Sequence, residues 1–160
     1  MSKASRLLLV AALMLPMIMG CQQKADVATE RPAIEAVLDD YITSIENEDM
    51  TLYAKIIAHD PNMVNFGTDA VERIVGWDAL EKLINAQNEA WSGTRITASD
   101  ITVELSSDGR CAWATSMWDL QVTIAGQPID VHGIRCTWVL EKLQAGWVIV
   151  HFHKSVGLGG

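Results

Sequence analysis

The chain is predicted to fold as an α+β domain, with helices first and an antiparallel sheet after them, and three observations carry that prediction. Between residues 31 and 90 apolar side chains recur at helical spacing. From residue 96 to 156 they alternate with a period of two. The last stretch, Arg135 to Ser155, is two alternating runs joined by a short polar turn containing Gly146, which is the pattern of a β-hairpin. Helices followed by a meander of strands place the helices on one sheet face.

Taken in order, Pro32 suits a first helical turn, and Ile34, Val37, Leu38, Tyr41, Ile42 and Ile45 follow on one stripe, so a first helix is expected over 31–47. Asp49 can cap a short second helix carrying Leu52, Tyr53, Ile56 and Ile57, which stops before His59-Asp60-Pro61 because a residue before proline avoids helical geometry. Met63 to Phe66 and Glu72 to Val75 read as short strands around a Gly67-Thr68-Asp69 turn. Gly76-Trp77-Asp78 leads into a third helix ending near Ala90. Four strands are then expected, over Ile96 to Leu105, Cys111 to Ile124, Ile129 to Lys142 and Trp147 to Val156. Asp108-Gly109 and Gly126-Gln127-Pro128 supply turns between them.

Two lines of argument come from the first residues and the charge. Lys3 and Arg6 precede an apolar run from Leu7 to Met19, the layout of an export signal and too short to span a bilayer, which needs about 20 residues. Ile18-Met19-Gly20-Cys21 resembles a bacterial lipobox, which implies a signal peptide over 1–21, a lipid on Cys21, a polar tether over 22–29 and a domain over 30–160. Gln22 after the cysteine resembles the pattern for sorting to the outer membrane, so the expected location is the cell envelope, facing the periplasm. The net charge of −8 repels phosphate backbones, and nucleic acid is not an expected partner. Export would place Cys111 and Cys136 in an oxidising compartment, yet pairing about Gly126 sets Cys136 opposite a residue near Met117, beyond disulfide reach of Cys111. Two separate buried thiols are favoured.

Extended at period two from Trp147, the last strand places Ile149, His151, His153 and Ser155 on one face. Antiparallel pairing brings Arg135 near His151 and His153, a polar cluster set among large apolar residues. The opposite face carries Cys136, Trp138 and Phe152. Arg-x-Thr from Arg135 and Gly-Trp-x-x-x-His-x-His-x-Ser from Gly146 resemble the SnoaL-like branch of the nuclear transport factor 2-like superfamily, and in particular the association domain of calmodulin-dependent protein kinases. His59-Asp-Pro-Asn-x-Val-x-Phe-Gly-Thr68, followed by the Gly76 helix start, resembles a second signature of the same family. The resemblance implies a strongly curved sheet wrapped around three helices as a cone with a pocket, the first two helices forming its lid. It implies no metal and no cofactor.

For chemistry, Tyr41 stands eight residues before Asp49, a spacing that resembles ketosteroid isomerase and implies a hydrogen-bond donor to an oxyanion. The resemblance also calls for two carboxylates, and here Asn65-Phe66-Gly67 and Thr137 stand near their positions, so a steroid isomerase is not expected. Tyr41 thus reads either as a core residue or as a pocket donor. Arg135, His151 and His153 read either as a network satisfied by backbone or as a grip on a carboxylate or carbonyl ligand, a task that suits the guanidinium fork. The His151 and His153 pair could also chelate zinc with His132 or Asp119, on a spacing that is weak evidence. Asp119 and His151 are the weak candidates for a catalytic base. Trp118 and Trp138 are expected on the uncovered sheet face, where a second subunit would bury them as family members commonly do, giving a homodimer. The leading expectation is a lipid-anchored domain binding a small organic ligand through Tyr41, Arg135, His151 and His153, without demonstrated catalysis. Its rivals are an isomerase, cyclase or dehydratase acting on a small apolar carbonyl compound, and an envelope interaction module.

Overall fold

The computed structural model describes residues 26–68 and 72–157. The signal segment, Cys21 and most of the tether lie outside the described residues. Three helices come first, α1 (Val27–Glu46), α2 (Met50–Ile56) and α3 (Trp77–Ala90), with two short strands, β1 (Val64–Phe66) and β2 (Arg73–Val75), between the second and third. Four long strands follow, β3 (Trp91–Leu105), β4 (Cys111–Ile124), β5 (Gln127–Leu143) and β6 (Gly146–Ser155). One six-stranded sheet of order β2-β1-β6-β5-β4-β3 results, antiparallel except where β1 runs parallel to β6. This is the α+β cone expected from the sequence.

The start of α1 differs from expectation. Asp26 caps it, its carboxylate accepting the Ala28 N–H at 3.0 Å, so Val27–Thr29 are helical and Pro32 lies inside the helix instead of opening it. Asp49 caps α2 as read, accepting the Leu52 N–H at 2.9 Å. Gly76 takes φ of 82° before α3, and a Cβ there would come within 2.7 Å of the Pro61 carbonyl oxygen, so only glycine fits this entry.

The core lies between α1, α2 and the inner sheet face. Tyr41 stands at its centre, 1% exposed, with the rings of Tyr53, Trp118, Trp138 and Phe152 packed around it at centroid distances of 5.5 to 6.2 Å. Burying each of these large side chains contributes on the order of 2–3 kcal/mol. Trp118 and Trp138 therefore face inward, which corrects the expectation that they lie on the uncovered face. The exposed tryptophan of that face is Trp113.

The last strand carries a bulge. In β5 and β6 the pairing runs Leu143 with Gly146 through Leu140 with Ile149, and then Val139 with His151, leaving Val150 as an extra residue. Trp147 and Ile149 before the bulge are buried on the inner face, and Phe152 continues that face after it. A strict period of two carried past Val150 assigns every later side chain to the wrong face. The structure corrects the inward placement of His151 and His153 accordingly.

Candidate functional site

The inner wall, read across the three central strands, has one polar row. Ser116 on β4 pairs with Cys136 on β5, and Cys136 pairs with Lys154 on β6. Side chains of such cross-strand neighbours start about 5 Å apart. The apolar residues Ala114, Trp138 and Phe152 form the next row toward the floor of the cone. On the other side, toward the mouth, Trp118 and Ile134 face each other. The row is thus a hydroxyl, a thiol and an amine held between hydrophobic layers.

A cavity of about 60 Å³ opens beside it, lined by Ile45 of α1, Gln87 of α3, Trp91 and Ile96 of β3, Trp118 and Leu120 of β4, Val131 and Ile134 of β5, Lys154 of β6, and Thr68. At about 30 Å³ per water that volume holds roughly two waters, which suits a small organic group and not a fused ring system. The walls are apolar. Polar capacity comes from Lys154, Gln87 and Thr68, and the indole N–H of Trp118 is shut off from water without a partner. A broader hollow of about 550 Å³ runs along α1 beside Val37, Lys55 and Trp147, but it lies open to solvent and its Lys142 is tied to Glu30 at 2.6 Å.

The electrostatics follow from burial. Lys154 is half-buried, its ammonium 5.5 Å from the Phe152 ring centroid. Desolvation lowers its pKa, opposed by the neighbouring Cys136 and Glu72. Burial pushes the Cys136 thiol up to about 12, so it stays protonated. Cys111 is a second free thiol, half-buried and several register positions away, in keeping with two separate thiols. The Ser116 hydroxyl, in a residue only 5% exposed, has no hydrogen-bond partner, and the same holds for the Tyr41 and Tyr53 hydroxyls and the Trp138 indole N–H. Burial, with the neighbouring Tyr53, raises the Tyr41 phenol well above its ordinary range. Tyr41 is then a neutral donor inside an aromatic cluster and does not line the cavity wall. Such unpaired groups are unfavourable unless something else repays them.

The other sequence candidates lie on the outer face or at its edge. Arg135 pairs with Ser155, is exposed, and donates to the Val156 carbonyl at 3.2 Å. His153 pairs with Thr137, is exposed, and meets Phe66 edge-on with ring centroids 5.6 Å apart. His151 pairs with Val139, and its Nδ1–H donates to the Val64 carbonyl. The guanidinium and the two imidazoles are therefore each held by local structure and do not converge on the cavity. Asp119 sits where His132 and Gly133 both oppose it, accepts the Gly133 N–H at 2.9 Å, and lies 3.4 Å from His132. The Gly133 hydrogen bond is the main cause of its lowered pKa. It braces an exposed bulge, so the expectation of Asp119 as a pocket base is corrected. Among the described residues no group of three or more His, Cys, Asp or Glu side chains could hold a metal ion.

Near the position where a steroid isomerase would need an aspartate stands Asn65, fully buried, whose side-chain oxygen accepts the Phe152 N–H at 2.8 Å. It joins β1 to β6 and does no acid–base work. Sequence reasoning missed the Ser116, Cys136 and Lys154 row. The available signal was that Lys154 stands two residues after Phe152, so the two share one face of the last strand.

Comparison with known proteins bears on the fold and the family. No match is found among curated proteins. A candidate dehydratase of the nuclear transport factor 2-like family from Streptomyces avermitilis superposes with a TM-score of 0.74 at 12% identity, covering 82% of this chain and 99% of its own. A nuclear transport factor 2-like superfamily protein from Salmonella enterica gives 0.75 at 20%, covering 84% and 95%. A candidate calcium/calmodulin-dependent protein kinase II association domain from Xanthomonas campestris gives 0.69 at 21%, covering 86% and 96%. At these identities the structures speak to fold alone, whereas the SnoaL-like domain model matches residues 34–159, most of the sequence. The chain belongs to the SnoaL-like family and has the nuclear transport factor 2-like fold.

Proposed function

We propose that this SnoaL-like domain binds a small organic molecule bearing a carbonyl or carboxylate, with its polar end at Lys154 and its apolar part against Trp118, Ile134 and Val131. The observation that carries this reading is an amine lining a largely apolar cavity whose other polar groups are Gln87 and Thr68. In such a setting few polar groups fix a ligand's orientation, and the apolar walls supply contact area. The described residues lining the cavity include neither carboxylate nor imidazole, which favours binding over proton abstraction. A thermal-shift screen of short carboxylates, aldehydes and ketones tests it. Stabilisation of the wild type that disappears in Lys154→Met is expected, and equal stabilisation of both proteins refutes the assignment.

Export and lipid attachment at Cys21, with the domain facing the periplasm, complete the proposal. The support is the charged start, the short apolar run and the cysteine that follows. Acyl-chain labelling in the producing bacterium should be lost in Cys21→Ser. A homodimer through the outer sheet face is proposed on the exposure of Trp113, at 44%, and Phe66, at 38%. Sedimentation should show a dimer at micromolar concentration that Trp113→Glu dissociates, and a wild-type monomer would dismiss it.

A further inference from the structure

We infer that the ligand is an aldehyde or ketone and that Lys154 holds it covalently, as a reversible imine formed in the cavity. The inference rests on the reading above and specifies its chemistry. An amine becomes a carbonyl nucleophile when it is both reachable and neutral, and the surroundings of Lys154 favour both conditions. It lines a cavity large enough for a small carbonyl compound. Its stem lies along the inner wall between Phe152 and Cys136, so the cavity that admits the ligand also withholds water from the ammonium. Desolvation accordingly lowers its pKa. The groups facing it are Cys136 from β5 and Glu72 from the segment before β2. The thiol does not compete, since burial keeps it protonated. Lys55, Lys82 and Lys142 lie exposed, the last bound to Glu30, so none shares this enclosure.

The step balances without a further reactant. The neutral nitrogen of Lys154 forms a bond to the carbonyl carbon, the carbonyl oxygen receives the two protons that the nitrogen gives up, and it departs as water, leaving a carbon–nitrogen double bond. No oxidant or reductant is consumed. While the oxygen carries developing negative charge it needs a donor. Gln87 and Thr68 line the same cavity and carry hydrogen-bond donors. A carboxylate would gain only the charge of Lys154, which the apolar walls disfavour, whereas a neutral carbonyl compound enters without bringing a charge into them.

Trapping tests this directly. The full protein is incubated with butanal and sodium cyanoborohydride near pH 7, digested, and the butylated lysines are mapped by mass spectrometry. The expected result is Lys154 labelled at least tenfold faster than Lys55, Lys82 or Lys142 although it is less exposed, with its labelling levelling off at a lower pH than theirs. Labelling of Lys154 no faster than the exposed lysines overturns the inference. Ile134→Trp, which fills the cavity and retains the amine, should abolish the preference; a preference that survives would also count against it. Mapping on the wild type does not depend on any variant folding. Butanoate in a parallel thermal-shift assay separates the two claims. If butanoate or butanal stabilises the wild type and not Lys154→Met but no imine is trapped, the covalent step fails and the binding reading stands. If neither compound stabilises the protein and no imine is trapped, both fail.

Discussion

The two faces of the C-terminal hairpin differ in a way that composition alone does not reveal. Its outer face carries Arg135, His151 and His153, the residues most associated with binding and catalysis, yet each is held by a backbone carbonyl or a neighbouring ring and points away from the cone. Its inner face carries Cys136, Trp138, Phe152 and Lys154, which read as core, and there the one amine meets an enclosed space. The lesson is that enclosure, more than residue type, makes a group available for binding. A guanidinium in water is screened and solvated, while an amine between Phe152 and an apolar cavity is changed by its surroundings.

The contrast depends on the phase of one strand, and the largest effect should follow from shifting that phase by one residue. Inserting one alanine after Val150, with the bulge kept, shifts the rest of the strand by one residue and exchanges Phe152 and Lys154 for His151 and His153 on the inner wall. Cooperative unfolding in urea should be lost or weakened by more than about 4 kcal/mol, comparable to losing a buried aromatic, while Val150→Ala should cost under about 1 kcal/mol. Next, Trp138→Ala on the inner face should destabilise by about 3–5 kcal/mol in the same assay. Arg135→Ala, on the outer face, should change stability by no more than about 0.5 kcal/mol.

Lys154→Met sharpens the comparison through pH. The ammonium has a lower pKa in the folded chain than its ordinary 10.5, so the folded state binds that proton less tightly than the unfolded state does. The penalty is complete below the folded pKa and vanishes above 10.5. The variant should therefore melt above the wild type at neutral pH, with the gap closing as pH rises toward 10.5, a trend that thermal melts across the alkaline range will register. Glu72 and Cys136 face the same group, and a parallel series in Cys136→Ala isolates the part due to the lysine. A small effect is also expected for Tyr41→Phe. Its hydroxyl is buried without a partner, so its loss should leave stability within about 1 kcal/mol or raise it, by calorimetry.

Much of the cone was legible in the sequence because local patterns decide it. Asp49 before Leu52 and Tyr53 marked α2, and Gly76 before Trp77 marked α3. Alternation from Cys111 to Ile124 gave β4 at its observed limits. The site was not legible, since it depends on an offset of one residue with no composition signal of its own. Val150 is an ordinary strand residue, and nothing in Trp-Val-Ile-Val-His-Phe-His announces that the strand changes phase there. His132 and Gly133 against Asp119 make the same point on β5, where a second bulge brings the carboxylate to the exposed edge. The parallel pairing of β1 with β6, locked by Asn65, joins residues 87 positions apart and was equally hidden.

The central claim is that the ligand lies on the inner wall at Lys154 and not at the guanidinium and imidazoles. Crystals of the protein soaked with 5-bromofurfural and cyanoborohydride test it most directly, because its ring-bound bromine is not displaced by amines, scatters anomalously and marks its own position. A bromine peak inside the cone beside Trp118, with density continuous to Lys154 Nζ, is the predicted result. A peak on the outer face beside Arg135 and His153, with the cavity unchanged, would contradict it.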